Sequence, residues 1–214
     1  MISYAYIVCG SPDSKLPYYF TPDLKGYMVG VDRGALALVE RNIDFDVAVG
    51  DFDSVSESER KRIEGKARGM LELPVKKDVT DCEAAIVHVM REGCREIYLY
   101  GAMGARFDHQ YVTIGLMLKY AKQGARIHMV NDKNRVLVLV PGFYSVAFDS
   151  SKKYVSFFAL ESAVKNLALR NVEYPLEGYD LAIDDSLCVS NKPLGPNVDV
   201  SFDDGYLMVV QSTD

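Results

Sequence analysis

Short, continuously apolar runs alternate with longer stretches of helical spacing through the first 140 or so residues, and this alternation constrains the fold more than any other feature. The runs are YAYIVCG, YMVGVD, DVAVGD, MLELPV, EIYLYGA and RIHMVN; between several of them lie GALALVERN, SESERKRIEGKA, TDCEAAIVHVMREG and FDHQYVTIGLMLKYAKQG. A strand that is apolar at every position is buried on both faces, and strands joined through helices are most simply parallel. Residues 1–140 therefore predict a mostly parallel sheet with helices on both faces. An open sheet of this kind places its ligand site beyond the carboxyl ends of its strands.

After Pro141-Gly142 the rhythm changes to strand-like runs separated by turn residues: FYSVAF, YVSFFAL, NLALRNV, SLCVSN, VDVSF and YLMVV. The last two flank Asp203-Asp204-Gly205, a tight hairpin signal. Residues 141–214 predict a smaller antiparallel β-sandwich or barrel, so the expected class is α/β plus all-β. The chain is 49% apolar and 25% charged, as ordinary soluble proteins are, and no run approaches the roughly 18 apolar residues of a spanning helix. The opening MISYAYIVCGSPDS carries no basic leader and reads as a buried strand with its turn, so a cytoplasmic location is expected. Cys9, Cys82, Cys94 and Cys188 lack metal-ligand spacing and read as small buried residues. A net charge of −6 without a basic run argues against nucleic acid and suits a cationic or metal-borne substrate.

Each predicted strand gives way to polar residues. After YMVGV comes Asp32; after DVAV come Gly50, Asp51 and Asp53; after LELPV come Lys77, Asp78, Thr80 and Asp81; after EIYLYGA come Gly104, Arg106, Asp108 and His109. In a parallel sheet these share one edge. Singly, several could be turn or helix-cap residues. Jointly they exceed that need, because capping takes one short polar residue per helix. Gathered carboxylates raise one another's pKa values unless a cation shares the space, and Mg²⁺ is the hard ion that binds through one or two carboxylates plus substrate phosphates. The expectation is that Asp51 and Asp53 hold magnesium, with Asp81 or Asp78 arriving from the neighbouring strand end. Arg106 suits a phosphate clamp, and the small residues of GAMGAR let backbone N–H groups approach an anion. His109 is a candidate general base or phosphate donor, whereas His88 and His128 read as packing residues.

Several templates are excluded. An EF-hand beginning at Asp51 needs Gly and Glu where Ser56 and Arg62 stand, and there is no P-loop, His-Glu-x-x-His or Gly-x-Ser-x-Gly.

The ordered set VDRGA, GDFDSV, KKDVTDCEAA and GAMGARFDHQ, followed by CVSNKPLG in the β-rich half, resembles the thiamine pyrophosphokinases over nearly the whole chain. The resemblance implies transfer of the pyrophosphoryl group of ATP to the hydroxyl of thiamine, giving thiamine diphosphate and AMP. It implies a nucleotide-binding α/β domain, a thiamine-binding β-sandwich and a homodimer with its active site at the interface. By motif, Asp51, Asp53 and Asp81 are the magnesium carboxylates. Asp32, Asp78, Thr80, Gly104, Arg106 and Asp108 line the ATP phosphates and the reacting hydroxyl, and Ser190 and Asn191 contribute to the thiamine pocket. Two residues depart from the family's usual pattern: Arg33, where a glycine is common, and Lys192, where an acid is common. From the residues alone, a metal-dependent phosphoesterase and a non-catalytic nucleotide or thiamine sensor stay open as rival readings.

Overall fold

The computed structural model describes residues 4–11, 16–17, 20–21, 24–104 and 106–214. They fall into two compact units, Met1–Leu116 with Ile127–Asp132, and Met117–Arg126 with Lys133–Asp214.

The first unit carries β1 (Tyr4–Val8), β2 (Tyr27–Val31), β3 (Phe45–Gly50), β4 (Ala67–Glu72), β5 (Glu96–Tyr100) and β6 (Arg126–Val130) in the order β4-β3-β2-β1-β5-β6. β1 runs parallel to β2 and β5, β2 to β3, and β3 to β4, which is the sheet the apolar runs predict. Ala5, Ile7, Val29, Ala48, Val49, Ile97 and Leu99 are fully buried, which is why these strands carry no polar alternation.

The helices are α1 (Arg33–Glu40), α2 (Glu57–Glu64), α3 (Asp81–Arg91) and α4 (Phe107–Ala121). Ser56 and Glu59 form a capping box on α2, and the Thr80 hydroxyl accepts the Glu83 N–H at 3.1 Å to start α3. One strand moves from its expected place: β4 ends at Glu72 and leaves out Pro74, which has no N–H to continue a ladder. Because β2 lies on one side of β1 and β5 on the other, the loops after β1 and β5 diverge and leave a crevice at the carboxyl edge. Among the described residues no helix is long and apolar enough to cross a membrane.

The second unit holds β7 (Asn134–Leu139), β8 (Gly142–Ala147), β9 (Tyr154–Arg170), β10 (Leu176–Leu181), β11 (Asn197–Phe202) and β12 (Asp204–Ser212), paired antiparallel. Three details correct the sequence reading. YVSFFAL and NLALRNV belong to a single strand, β9, which bends where Glu161 and Asn166 take positive φ. SLCVSN forms turns, with Asn191 reaching only an isolated bridge to Val155. NRVLVL, not anticipated as a strand, forms β7 and pairs with β12.

Asp203-Asp204-Gly205 is not a hairpin. β11 and β12 do not pair with each other; both run along β9, β11 against its end and β12 against its beginning. The register jumps between Asp204 and Tyr206, and Gly205 sits at the jump with φ 88°. A Cβ there would lie 2.6 Å from the Ala163 carbonyl oxygen. The signal that reads as a turn is a bulge at which the chain passes from one sheet to the other. This bend lets the two sheets close over a core containing Phe157, Val164, Leu167, Leu169, Val200, Leu207 and Val209. Gly205→Ala is expected to destabilise the protein by about 1 to 3 kcal/mol through backbone strain, measured by urea denaturation.

Candidate active site

The crevice opens into a cavity of about 590 Å³, within the range of small-molecule sites. Cys9, Gly10 and Ser11 line it after β1, Asp32 and Arg33 after β2, and Ser54 after β3. Thr80, Asp81 and Cys82 present the first turn of α3, and Gly101, Gly104 and Arg106 come from the loop after β5. His109, Val112 and Thr113 close it from α4.

The acidic residues do converge, and the structure shows what lies between them. Asp51 Oδ2 is 2.8 Å from the Lys77 ammonium and Asp81 Oδ1 is 3.0 Å from it, with the three side chains 11%, 21% and 12% exposed in the order Asp51, Asp81, Lys77. The hydrogen bond from Lys77 holds the Asp51 carboxyl below its usual range. Burial works against the Lys77 charge, yet the bonds to Asp51 and Asp81 keep its pKa above the ordinary value. The Asp81 contact is an ion pair by distance, but its direction leaves the buried Oδ1 without a well-formed hydrogen bond.

Asp32 completes the cluster. It precedes α1 with φ 45° but does not cap it; its Oδ1 accepts the Phe52 N–H at 3.3 Å. Gly50 makes room for this, since a Cβ at that position would lie 1.9 Å from Asp32 Oδ1. Burial first, and the Asp81 charge second, push Asp32 up to about 6.

Arg106 spans Asp108 with Nε at 3.1 Å and a terminal nitrogen at 2.5 Å; both side chains are about two-thirds exposed. The bond from Arg106 lowers the Asp108 pKa. Asp108 also accepts the backbone N–H of His109, itself exposed. Arg33 donates to the Ser54 carbonyl at 3.1 Å, tying the loop after β3 to the start of α1.

Two carboxylates, Asp51 and Asp81, share one ammonium here, the Asp81 Oδ1 without a well-formed hydrogen bond, and the nearby Asp32 has its pKa driven upward. A site short of positive charge, built from hard oxygen donors, fits a magnesium ion. Among the described residues no three His, Cys, Asp or Glu side chains already stand close enough to enclose one.

Two sequence models of one family match the chain: "Thiamin pyrophosphokinase, catalytic domain" over residues 23–129 and "Thiamin pyrophosphokinase, vitamin B1 binding domain" over residues 144–207. The chain belongs to the thiamin pyrophosphokinase family. It is 32% identical to the thiamine pyrophosphokinase of Bacillus subtilis (strain 168), over 97% of this chain and 98% of that protein. The crystal structure of thiamine pyrophosphokinase from Bacillus subtilis superposes with a TM-score of 0.91 at 31% identity, covering 99% and 100% of the two chains. That of a thiamin pyrophosphokinase family protein from Enterococcus faecalis gives 0.89 at 31% identity with the same coverage.

Of the family positions expected to act, Asp32, Thr80, Asp81, Gly104, Arg106 and His109 line the cavity. Asp51 reaches the acid cluster through Lys77, while Asp53, Asp78 and Asp108 are exposed. In the second unit Ser190 is exposed. Asn191 is buried, its Oδ1 accepting the Tyr174 and Lys192 N–H groups and its Nδ2 donating to the Tyr174 carbonyl. Lys192 pairs with Glu173 at 3.1 Å. Sequence reasoning missed Lys77 as the ion between the carboxylates, although its place four residues before Asp81 was a signal. It also missed Cys9 and Cys82, which line the cavity, with Cys9 raised well above the usual thiol range by its contact with Cys82 and by burial.

Because Asp32 binds its proton more tightly folded than unfolded, with a pKa of about 6 against 3.8, stability of the ligand-free protein falls as pH rises through that window. Asp32→Asn removes the penalty. The variant is expected to melt at a higher temperature than the parent at pH 8, with a smaller gap at pH 4.5, by calorimetry at both pH values. An equal gap at the two pH values contradicts it.

Proposed function

We propose that this chain transfers the pyrophosphoryl group of ATP to the hydroxyl of thiamine, forming thiamine diphosphate and AMP. The observation that carries the reading is the convergence of Asp32, Asp51 and Asp81 beside the Arg106 loop at the carboxyl edge of a parallel sheet, in a chain matched along nearly its whole length by one family. We assign residues 1–140 to nucleotide binding and catalysis and residues 141–214 to thiamine binding.

In this reading Asp51, Asp53 and Asp81 hold magnesium, which when bound neutralises charge on the triphosphate. Phosphoryl transfer needs alignment and electrostatic stabilisation more than covalent help from the protein. The thiamine hydroxyl attacks the β-phosphorus, the bond to the α-phosphate oxygen breaks, and AMP leaves. Arg106 takes oxygens of the transferred group in its planar fork, exchanging Asp108 for phosphate. Asp32, Asp78, Thr80 and Gly104 line the phosphates, with the first turn of α3 presenting N–H groups to them. Asp108, released when Arg106 turns to phosphate, is suited to accepting a hydrogen bond from the attacking hydroxyl and orienting it; His109 is the other candidate to take its proton. Ser190 contributes to the thiamine pocket, and Asn191 shapes that pocket by fixing the backbone around Tyr174.

We further propose a homodimer. Phe107, Tyr111 and Val112 are 74%, 69% and 43% exposed along α4, and Tyr174, Leu187 and Leu194 are 63%, 60% and 71% exposed in the second unit. Large apolar groups left on the surface mark association sites. The unbridged cysteines agree with a cytoplasmic enzyme.

Asp51→Asn is expected to lower AMP formation from ATP, magnesium and thiamine by at least about a hundredfold, with an unchanged circular dichroism spectrum. Turnover near that of the parent refutes the metal role, and phosphate release without thiamine favours a phosphoesterase. Tyr111→Asp is expected to shift the mass measured by light scattering toward the monomer and to raise the KM for thiamine.

A further inference from the structure

Lys77 lies between β4 and α3 in a stretch whose neighbours Pro74, Val75, Lys76 and Asp78 are all exposed, yet its own side chain is only 12% exposed. Folding a long, rotamer-rich side chain inward costs conformational entropy, and local structure does not require it, since Thr80 already caps α3. What holds it is the pair of carboxylates, Asp51 from the end of β3 and Asp81 from the first turn of α3.

We propose that Lys77 is a tethered counter-ion of the acidic site: its ammonium stands between Asp51 and Asp81 where the divalent cation is held in the nucleotide complex, so that the cation enters by displacing it. This rests on the assignment of Asp51 and Asp81 to magnesium. A tethered ammonium competes at high effective concentration, so metal alone binds weakly. Nucleotide supplies phosphate oxygens to which the released ammonium can turn, so metal and ATP bind with positive coupling. The device keeps an acidic site folded without metal and reserves tight metal binding for the moment the triphosphate arrives.

The experiment measures binding of Mn²⁺, an oxygen-seeking stand-in for magnesium, to the full chain without nucleotide, from the electron paramagnetic resonance signal of the free ion. Lys77→Met keeps most of the stem and removes the charge. It is expected to bind Mn²⁺ at least about tenfold more tightly than the parent, the gain from losing a competing ammonium at this site. Its metal-free form is expected to melt at a lower temperature and to recover on adding Mn²⁺. Equal or weaker Mn²⁺ binding in a folded Lys77→Met overturns the proposal. Should that variant not fold, Lys77→Arg decides, because a guanidinium grips the two carboxylates harder: Mn²⁺ affinity lowered at least about threefold supports the role, and unchanged or raised affinity overturns it. The parent's AMP formation is assayed separately. Tighter Mn²⁺ binding in Lys77→Met with no AMP from the parent keeps the counter-ion and removes the transfer reading; the opposite pair of results removes the counter-ion alone.

Discussion

Mutual repulsion among Asp32, Asp51 and Asp81 is the constraint around which the carboxyl edge of the sheet is arranged. Three carboxylates delivered by three different segments, partly out of water, oppose folding; Asp32 rises to about 6 through its burial first and the Asp81 charge second. The sheet overrides it because each acid is fixed by elements whose cores are fully buried. Asp32 follows Val31 out of β2, Asp51 follows β3, and Asp81 opens α3, whose Ala85, Ile86 and Val89 are inaccessible to solvent. Gly50 supplies the space for Asp32, so the site depends on a missing side chain as much as on those present.

The second unit solves a different problem. An antiparallel assembly must close its sheets over a core, and here a single long strand does so by bending at Glu161 and Asn166 while its partner line kinks at Gly205. The bends are distant in sequence yet face each other across the pairing of Lys165 with Asp204. Positive φ at Glu161 and Asn166 costs energy that the buried Phe157, Val164 and Leu167 offset.

The α/β rhythm was legible because burial on both faces writes itself into composition: in a buried strand of five or six residues a polar side chain needs a partner, as His128 of β6 has in Glu96 at 2.6 Å, and most positions are apolar. Helix starts were legible at Ser56 and Thr80, where capping chemistry is local. The acidic residues at strand ends were legible as a set, since strand-end position comes from topology alone. Not legible were features that need a partner from elsewhere in the chain. Asp203-Asp204-Gly205 has the composition of a hairpin turn, and only the pairing of both flanking strands with β9 makes it a bulge. The pairing of Lys77 was out of sight because its partner Asp51 is 26 positions away. The bonding of the Asn191 amide to the Tyr174 backbone was equally out of sight, since the two residues are 17 positions apart.

The cations of the site share a property that bears on how it works. Lys77 rests on Asp51 and Asp81, and Arg106 rests on Asp108, so part of the negative charge at the ligand-free edge is offset from within. On the proposed reading, binding a magnesium triphosphate would exchange one set of ion pairs for another and would not create charge contacts from hydrated groups. Such an exchange yields modest net affinity, because every new contact replaces an old one, but the reacting groups stay aligned and need little desolvation when substrate arrives. It also protects the fold, since a carboxylate cluster left without its lysine carries the repulsion in full. On that reading the ion pairs of the ligand-free chain would set the threshold a ligand must exceed, and a ligand bearing both a divalent cation and phosphate oxygens would satisfy both halves of the exchange.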